Sequence, residues 1–233
     1  MSAATPLIRR ELKSEKVALA ELIGWFEIFA AWALIEATIW TTGKTQFRLF
    51  WMAFLFIVVT TVIHRPRLQD LGLGLRGLRD SLWVIPAAIA LASAAVLLAE
   101  IAGTLHALFG LVGVATHSTA YAIWAVFQQF LLQSYFFLRF EKLLSTRAAA
   151  ILSPALFCLV HIPNPVLVTV CIAAGWLACE VFRRHRNIYA LGVAHAIIGL
   201  TIAVTVPNDI QRHMRVGIGY YHYQAQRTIT PRG

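Results

Sequence analysis

The chain has 233 residues, of which 59% are hydrophobic and only 13% charged, and its mean hydropathy is +0.69. A soluble domain carries about 25% charged residues, so this composition excludes one and points to an integral membrane protein. The formal charge of +9 does not imply nucleic-acid binding, because Lys and Arg fall mostly in the short segments between apolar runs, as membrane topology requires.

The first sixteen residues, MSAATPLIRRELKSEK, hold Arg9, Arg10, Lys13 and Lys16 and show no cleavage site behind a short apolar core. They read as a cytoplasmic lead-in at 1–16, not as a signal peptide. Apolar runs close to the ~20 residues that cross a bilayer follow at 17–41, 46–64, 81–105, 119–140, 147–161, 165–183 and 187–206. The expected fold is therefore all-α: a polytopic bundle of about seven to eight transmembrane helices, embedded over 17–206, with a basic C-terminal tail at 207–233. The Gly- and Arg-rich stretch HRPRLQDLGLGLRGLRDS, residues 64–81, reads as a surface or interfacial connection between the second and third helices. Asn187, after the basic turn FRRHR, is an N-cap candidate for the last helix.

Positive charge sets the orientation. The lead-in, Arg65 to Arg79, Arg139 to Arg147, and Arg183 to Arg186 all fall on one side if every run spans. That predicts a multi-pass protein of the cell membrane with its N-terminus in the cytoplasm. The tail conflicts, since Arg212, Arg215, Arg227 and Arg232 would lie outside after seven spans. Either a segment is re-entrant, or one run does not span, or the tail breaks the rule. Cys158, Cys171 and Cys179 lie within apolar runs at no zinc spacing and read as reduced packing residues.

Polar side chains inside membrane spans are costly and default to function. Gln128, Gln129 and Gln133 sit in FQQFLLQSYFFLRFEKLL; Gln129 and Gln133 are four apart and share a helix face. They either bond across helices or line a site. The same choice stands for His161 at a helix end and for His195 in ALGVAHAIIGL. Glu21 and Glu36 read as near-interface residues, Glu180 as a partner of Arg183 or Arg184, and Glu27 has no sequence-level explanation.

QQFLLQSYFFLRFEKLL, then FCLVHIPNP, then NIYALGVAHAIIG resembles the three motif regions of the CPBP family, the CAAX-protease and bacteriocin-processing (Abi) membrane proteins also described as glutamic intramembrane proteases. The family pattern is EExxxRG, FxxxH and HxxxN or HxxxD. The resemblance covers about residues 119–200. Phe157 and His161 fill FxxxH, with Pro163 and Asn164 behind them. Gln128 and Gln129 replace the two glutamates, Gln133 the arginine, Ser134 the glycine, and Gly199 the last Asn or Asp.

The resemblance implies a helical cavity holding Gln128, Gln129, Gln133, His161 and His195, with membrane lipid and a membrane-associated or prenylated polypeptide as partners. The family's glutamate acts as a base that deprotonates water. A Gln amide cannot accept that proton, although it can orient water or donate to an oxyanion. Two functions stay open: a divergent intramembrane peptidase with His161 or His195 as base, and an inactive pseudoprotease that binds without cutting, as a chaperone, assembly or immunity factor. Ser134 as nucleophile lacks an orienting carboxylate. No metal is expected, since amides suit zinc poorly and HExxH is absent, and no cofactor is implied.

Overall fold

A computed structural model describes residues 4–106 and 111–223. Its elements in chain order are α1 (Ala4–Ile39), α2 (Gly43–Ile63), the single turn α3 (Leu78–Ser81), α4 (Val84–Ile101), α5 (Leu111–Gln129), a π-helical segment (Phe130–Phe137), α6 (Leu138–Leu143), α7 (Thr146–Leu159), α8 (Pro165–His185), α9 (Tyr189–Thr205), and the short α10 (Asn208–Gln211) and α11 (Gly217–Tyr221). No strand occurs among the described residues.

The protein is a helical membrane protein. Lys13–Ile39, Gly43–Ile63, Leu78–Ile101 and Pro165–His185 are long and apolar enough to cross a bilayer, and α9 with the bent segment behind it makes a fifth candidate. All seven expected runs are helical. The 14-residue α7 rises only about 21 Å, however, short of the roughly 30 Å hydrocarbon core, so apolar character alone does not make it a full span.

Two boundaries differ from the sequence reading. Helix begins at Ala4, inside the expected lead-in, and α1 runs for 36 residues. At about 54 Å it outlasts the bilayer core, and residues 13–23 are exposed beyond the bundle. The segment after α9 turns back on the bundle. The chain bends by 117° between Tyr189–Thr205 and Asn208–Met214 and folds back onto the end where α1 finishes. There Gly217 N–H donates to the Ile162 carbonyl at 2.8 Å, and the Trp40 and Tyr221 rings lie 6.3 Å apart. Arg212 sits over the Tyr220 ring at 4.2 Å, so its charge is held locally. Residues 224–233, with Arg227 and Arg232, lie outside the described part.

The centre of the bundle is the helical stretch from α5 through the π segment to α6. Leu138 N–H bonds the Gln133 carbonyl five residues back, the spacing of a π turn, a form concentrated at functional sites. Leu132, Tyr135 and Phe137 there are fully buried. Helices pack closely around it through small residues, which let membrane helices approach. A Cβ on Gly192 of α9 would stand 2.5 Å from Val126 Cγ2 of α5, and one on Gly175 of α8 would stand 3.0 Å from Pro154 of α7.

The LGLGL connection is not merely a surface loop. Leu71 is buried; Ser134 Oγ donates to its carbonyl at 2.6 Å. Ile188 N–H donates to the Gly72 carbonyl at 3.1 Å, and Asn187 Nδ2 to the Gly74 carbonyl at 2.8 Å. The cap position of α9 is Ile188, not Asn187; Asn187, one residue earlier, accepts from Tyr189 N–H at 3.1 Å and so ties the start of α9 to the loop. Gly77 needs its glycine: φ is +71° and a Cβ would collide with the His185 carbonyl.

Candidate functional site

A cavity of ≈ 570 Å³ lies among α1, α2, α4, α5, α7, α8 and α9. Its wall is largely apolar, and it draws on more helices than those that carry Gln128, Gln129, His161 and His195. Trp83, Leu91 and Trp124 belong to the wall and are also exposed, so the cavity opens onto the apolar outer surface. That shape and polarity suit a ligand with a hydrocarbon body and a few fixed polar contacts.

Gln128, Gln129, His161 and His195 all reach this wall. Gln129 comes from the last turn of α5, and its amide lies 2.8 Å from His195 Nδ1 on α9. Gln129 Oε1 is buried and makes no hydrogen bond. His161 stands just past the end of α7, where Nδ1 lies 2.7 Å from the Phe157 carbonyl. A carbonyl only accepts, so Nδ1 carries the proton and Nε2 keeps its lone pair. Phe157 sits between the imidazoles, with ring centroids 4.8 Å from His161 and 6.4 Å from His195. The FxxxH spacing thus has a mechanical sense: one helical turn lets the same residue supply a packing ring and a carbonyl acceptor.

Behind His161, the Ile162–Pro163 peptide is cis, and Asn164 caps α8 by accepting from Leu167 N–H at 3.2 Å. Its Nδ2 donates to the Gln211 carbonyl at 2.7 Å and the Arg215 carbonyl at 3.1 Å. The HIPNP segment therefore fixes His161 and anchors the returning tail.

Gln133 is not brought to the cavity. It is fully buried, forms no part of the wall, and neither end of its amide makes a hydrogen bond. The four-residue step from Gln129 assumes α-helical winding, whereas the π turn between them takes an extra residue and rotates the face. Ser134 is likewise buried and committed to the Leu71 carbonyl, which removes it as a nucleophile.

Glu27 belongs to a separate buried cluster. Arg139 Nε donates to its carboxylate at 2.9 Å, His64 Nε2 lies 2.9 Å from the other oxygen, and the Arg139 guanidinium lies over the Tyr135 ring at 3.6 Å. Tyr135 Oη in turn meets Thr60 Oγ1 at 3.1 Å. Arg139, counted from sequence among the positive charges that set the orientation, is buried, with this carboxylate as its compensating charge. Glu180 pairs with Arg183 at 2.6 Å, as expected. Among the described residues the cavity wall holds no Asp, Glu, Lys or Arg, and no group of three His, Cys, Asp or Glu side chains is placed to hold a metal.

The sequence reading missed Tyr121. It lines the cavity on α5, seven residues before Gln128; two helical turns set them on one face, and that spacing was the available signal. Its ring lies against Gly199: a Cβ there would stand 2.7 Å from Tyr121 Cζ and 2.8 Å from Cε1 and would collide with the hydroxyl.

Residues 114–201 match the family model described as type II CAAX prenyl endopeptidase Rce1-like. The chain carries an Rce1-like domain. No curated protein and no solved structure matches it. The Rce1-like domain runs from α5 to α9 and contains Tyr121, Gln128, Gln129, His161 and His195, whereas Glu27 and His64 lie outside it. Over residues 114–201 the chain is thus similar to CPBP-type intramembrane peptidases, and its candidate spans make it a multi-pass membrane protein. Within residues 114–201 the amide and imidazole side chains on the wall are Gln128, Gln129, His161 and His195, with no carboxylate among them.

Proposed function

We propose that the protein binds the prenylated or membrane-embedded segment of a polypeptide in this cavity without cutting it. The observation that supports this is the wall itself, where an apolar chamber carries Gln128 and Gln129 and no carboxylate among the described residues. A general base near neutral pH has to accept a proton, and amides do not. Burial of a hydrocarbon chain is worth roughly 25 cal/mol per Å², which gives a prenyl group a driving force that needs no chemistry. The basic lead-in and the Arg-rich turns support a cell-membrane location with the α1 N-terminus cytoplasmic, and residues 17–206 act as one embedded unit with 207–233 as a tail.

A second reading is favoured by one contact. Because His161 Nδ1–H is held by the Phe157 carbonyl, Nε2 is available as a base for water, with Gln128 and Gln129 as donors to an oxyanion.

Purified protein in nanodiscs, mixed with a panel of farnesylated and transmembrane peptides, separates the two. Saturable binding with intact peptide supports the binding function. Turnover that disappears in both His161→Ala and His195→Ala replaces it with a histidine-based peptidase, and absence of both binding and turnover removes both readings.

A further inference from the structure

We infer that Tyr121 supplies the hydrogen bond that holds the polar end of the cavity's ligand, and that this end is an uncharged carbonyl. The inference rests on the proposed binding function and adds the group that is recognised. Three observations carry it. Tyr121 lines the cavity on the same α5 face as Gln128, and among the described residues its hydroxyl makes no hydrogen bond. Gly199 leaves the space that the phenol ring and hydroxyl fill, since any Cβ at that position would displace them. His195 lies one turn before Gly199 and also reaches the wall, so the phenol stands beside the part of the cavity where Gln129 and His195 meet.

A phenol donates one O–H and is neutral at physiological pH. Gln129 already commits its amide to His195 at 2.8 Å, whereas among the described residues Tyr121 and Gln128 are wall donors with no partner in place. With no Lys or Arg on the wall among the described residues, a carboxylate entering this apolar chamber would lose its hydration without gaining a counter-charge. An ester or amide carbonyl meets the same donors at far smaller desolvation cost. The occupant fits as a prenylated chain end whose terminal carboxylate is masked or lies outside the cavity.

The test uses three probes with the same C15 chain: S-farnesyl-N-acetylcysteine methyl ester, its free acid, and farnesyl methyl thioether. Their binding to the full chain in nanodiscs is followed by the fluorescence of Trp32, Trp83 and Trp124, which line the cavity. The expected order has the ester at least tenfold tighter than the acid. Tyr121→Phe is expected to weaken the ester about tenfold, the change one lost hydrogen bond of ordinary strength produces, and to leave the thioether within twofold. Tyr121→Ala with Gly199→Asn, which returns a donor from the facing helix, is expected to recover ester binding relative to Tyr121→Ala alone.

A purely structural role would weaken ester and thioether together in Tyr121→Phe, and that result overturns the inference, as does equal ester binding by wild type and Tyr121→Phe. Equal wild-type affinity for acid and ester overturns the uncharged-group assignment. Failure of wild type to bind any of the three overturns the binding function itself, so the two failures are distinct.

Discussion

The Gln129 amide lies 2.8 Å from His195 Nδ1, joining α5 to α9 beside the cavity, while its Oε1 is buried without a partner. His195→Ala would leave both ends of that amide unpaired, a loss of about 1–3 kcal/mol for a buried polar group. Adding Gln129→Leu removes the orphaned group and recovers part of the loss. The expected outcome is a positive coupling in a double-mutant cycle, read from urea unfolding in detergent; strictly additive losses would show that the two side chains act independently.

Glu27 and Arg139 make a different kind of demand. Both are buried and each is the other's compensating charge, so removing one strands the other. Glu27→Gln is expected to cost about 3–5 kcal/mol, and the paired change Glu27→Leu with Arg139→Met less than either single change, because hydrophobic replacement of a whole buried pair is often neutral. Thermal unfolding measures it. Since neither residue reaches the cavity wall, probe affinity of the folded fraction should stay at the wild-type value.

These two contacts mark how far the sequence could be read. Every apolar run became a helix because hydropathy and length are local properties. The ordered motifs brought His161 and His195 to one cavity with Gln128 and Gln129. The pairing of Arg139 with Glu27 was not legible because the two are 112 residues apart, and a long-range pair leaves no periodic trace. Gln133 was misplaced because a period of 3.6 was applied across a π turn. Tyr121 escaped notice because its meaning depends on Gly199, whose missing side chain signals nothing until the facing ring is seen.

Gln133 offers a test of that correction. Its amide is fully buried with neither end hydrogen-bonded, and such groups are costly to hold in an apolar interior. Gln133→Met keeps the length and removes the polar atoms. We expect the variant to be more stable by about 1–2 kcal/mol and to bind the farnesyl ester as wild type does. A lower melting temperature together with weaker binding would return Gln133 to the site.

Asn164 links the site to the tail through a single side chain. Its Oδ1 caps α8, and its Nδ2 spans the Gln211 and Arg215 carbonyls. Asn164→Asp preserves the cap but removes both donors, turning an amide NH2 aimed at two carbonyls into an acceptor that repels them. Asn164→Ala removes all three bonds. The cap alone is worth about 1 kcal/mol, and each lost tail bond about as much again. Both variants should therefore loosen the returning segment while only Asn164→Ala weakens the start of α8. Trypsin reports the first effect by faster cleavage after Arg212 and Arg215 in both variants. Hydrogen exchange reports the second by lost protection of Leu167 N–H and its neighbours in Asn164→Ala alone. If cleavage stays at the wild-type rate in both, the tail is held by its other contacts, such as Gly217 with Ile162, and Asn164 serves only as a cap.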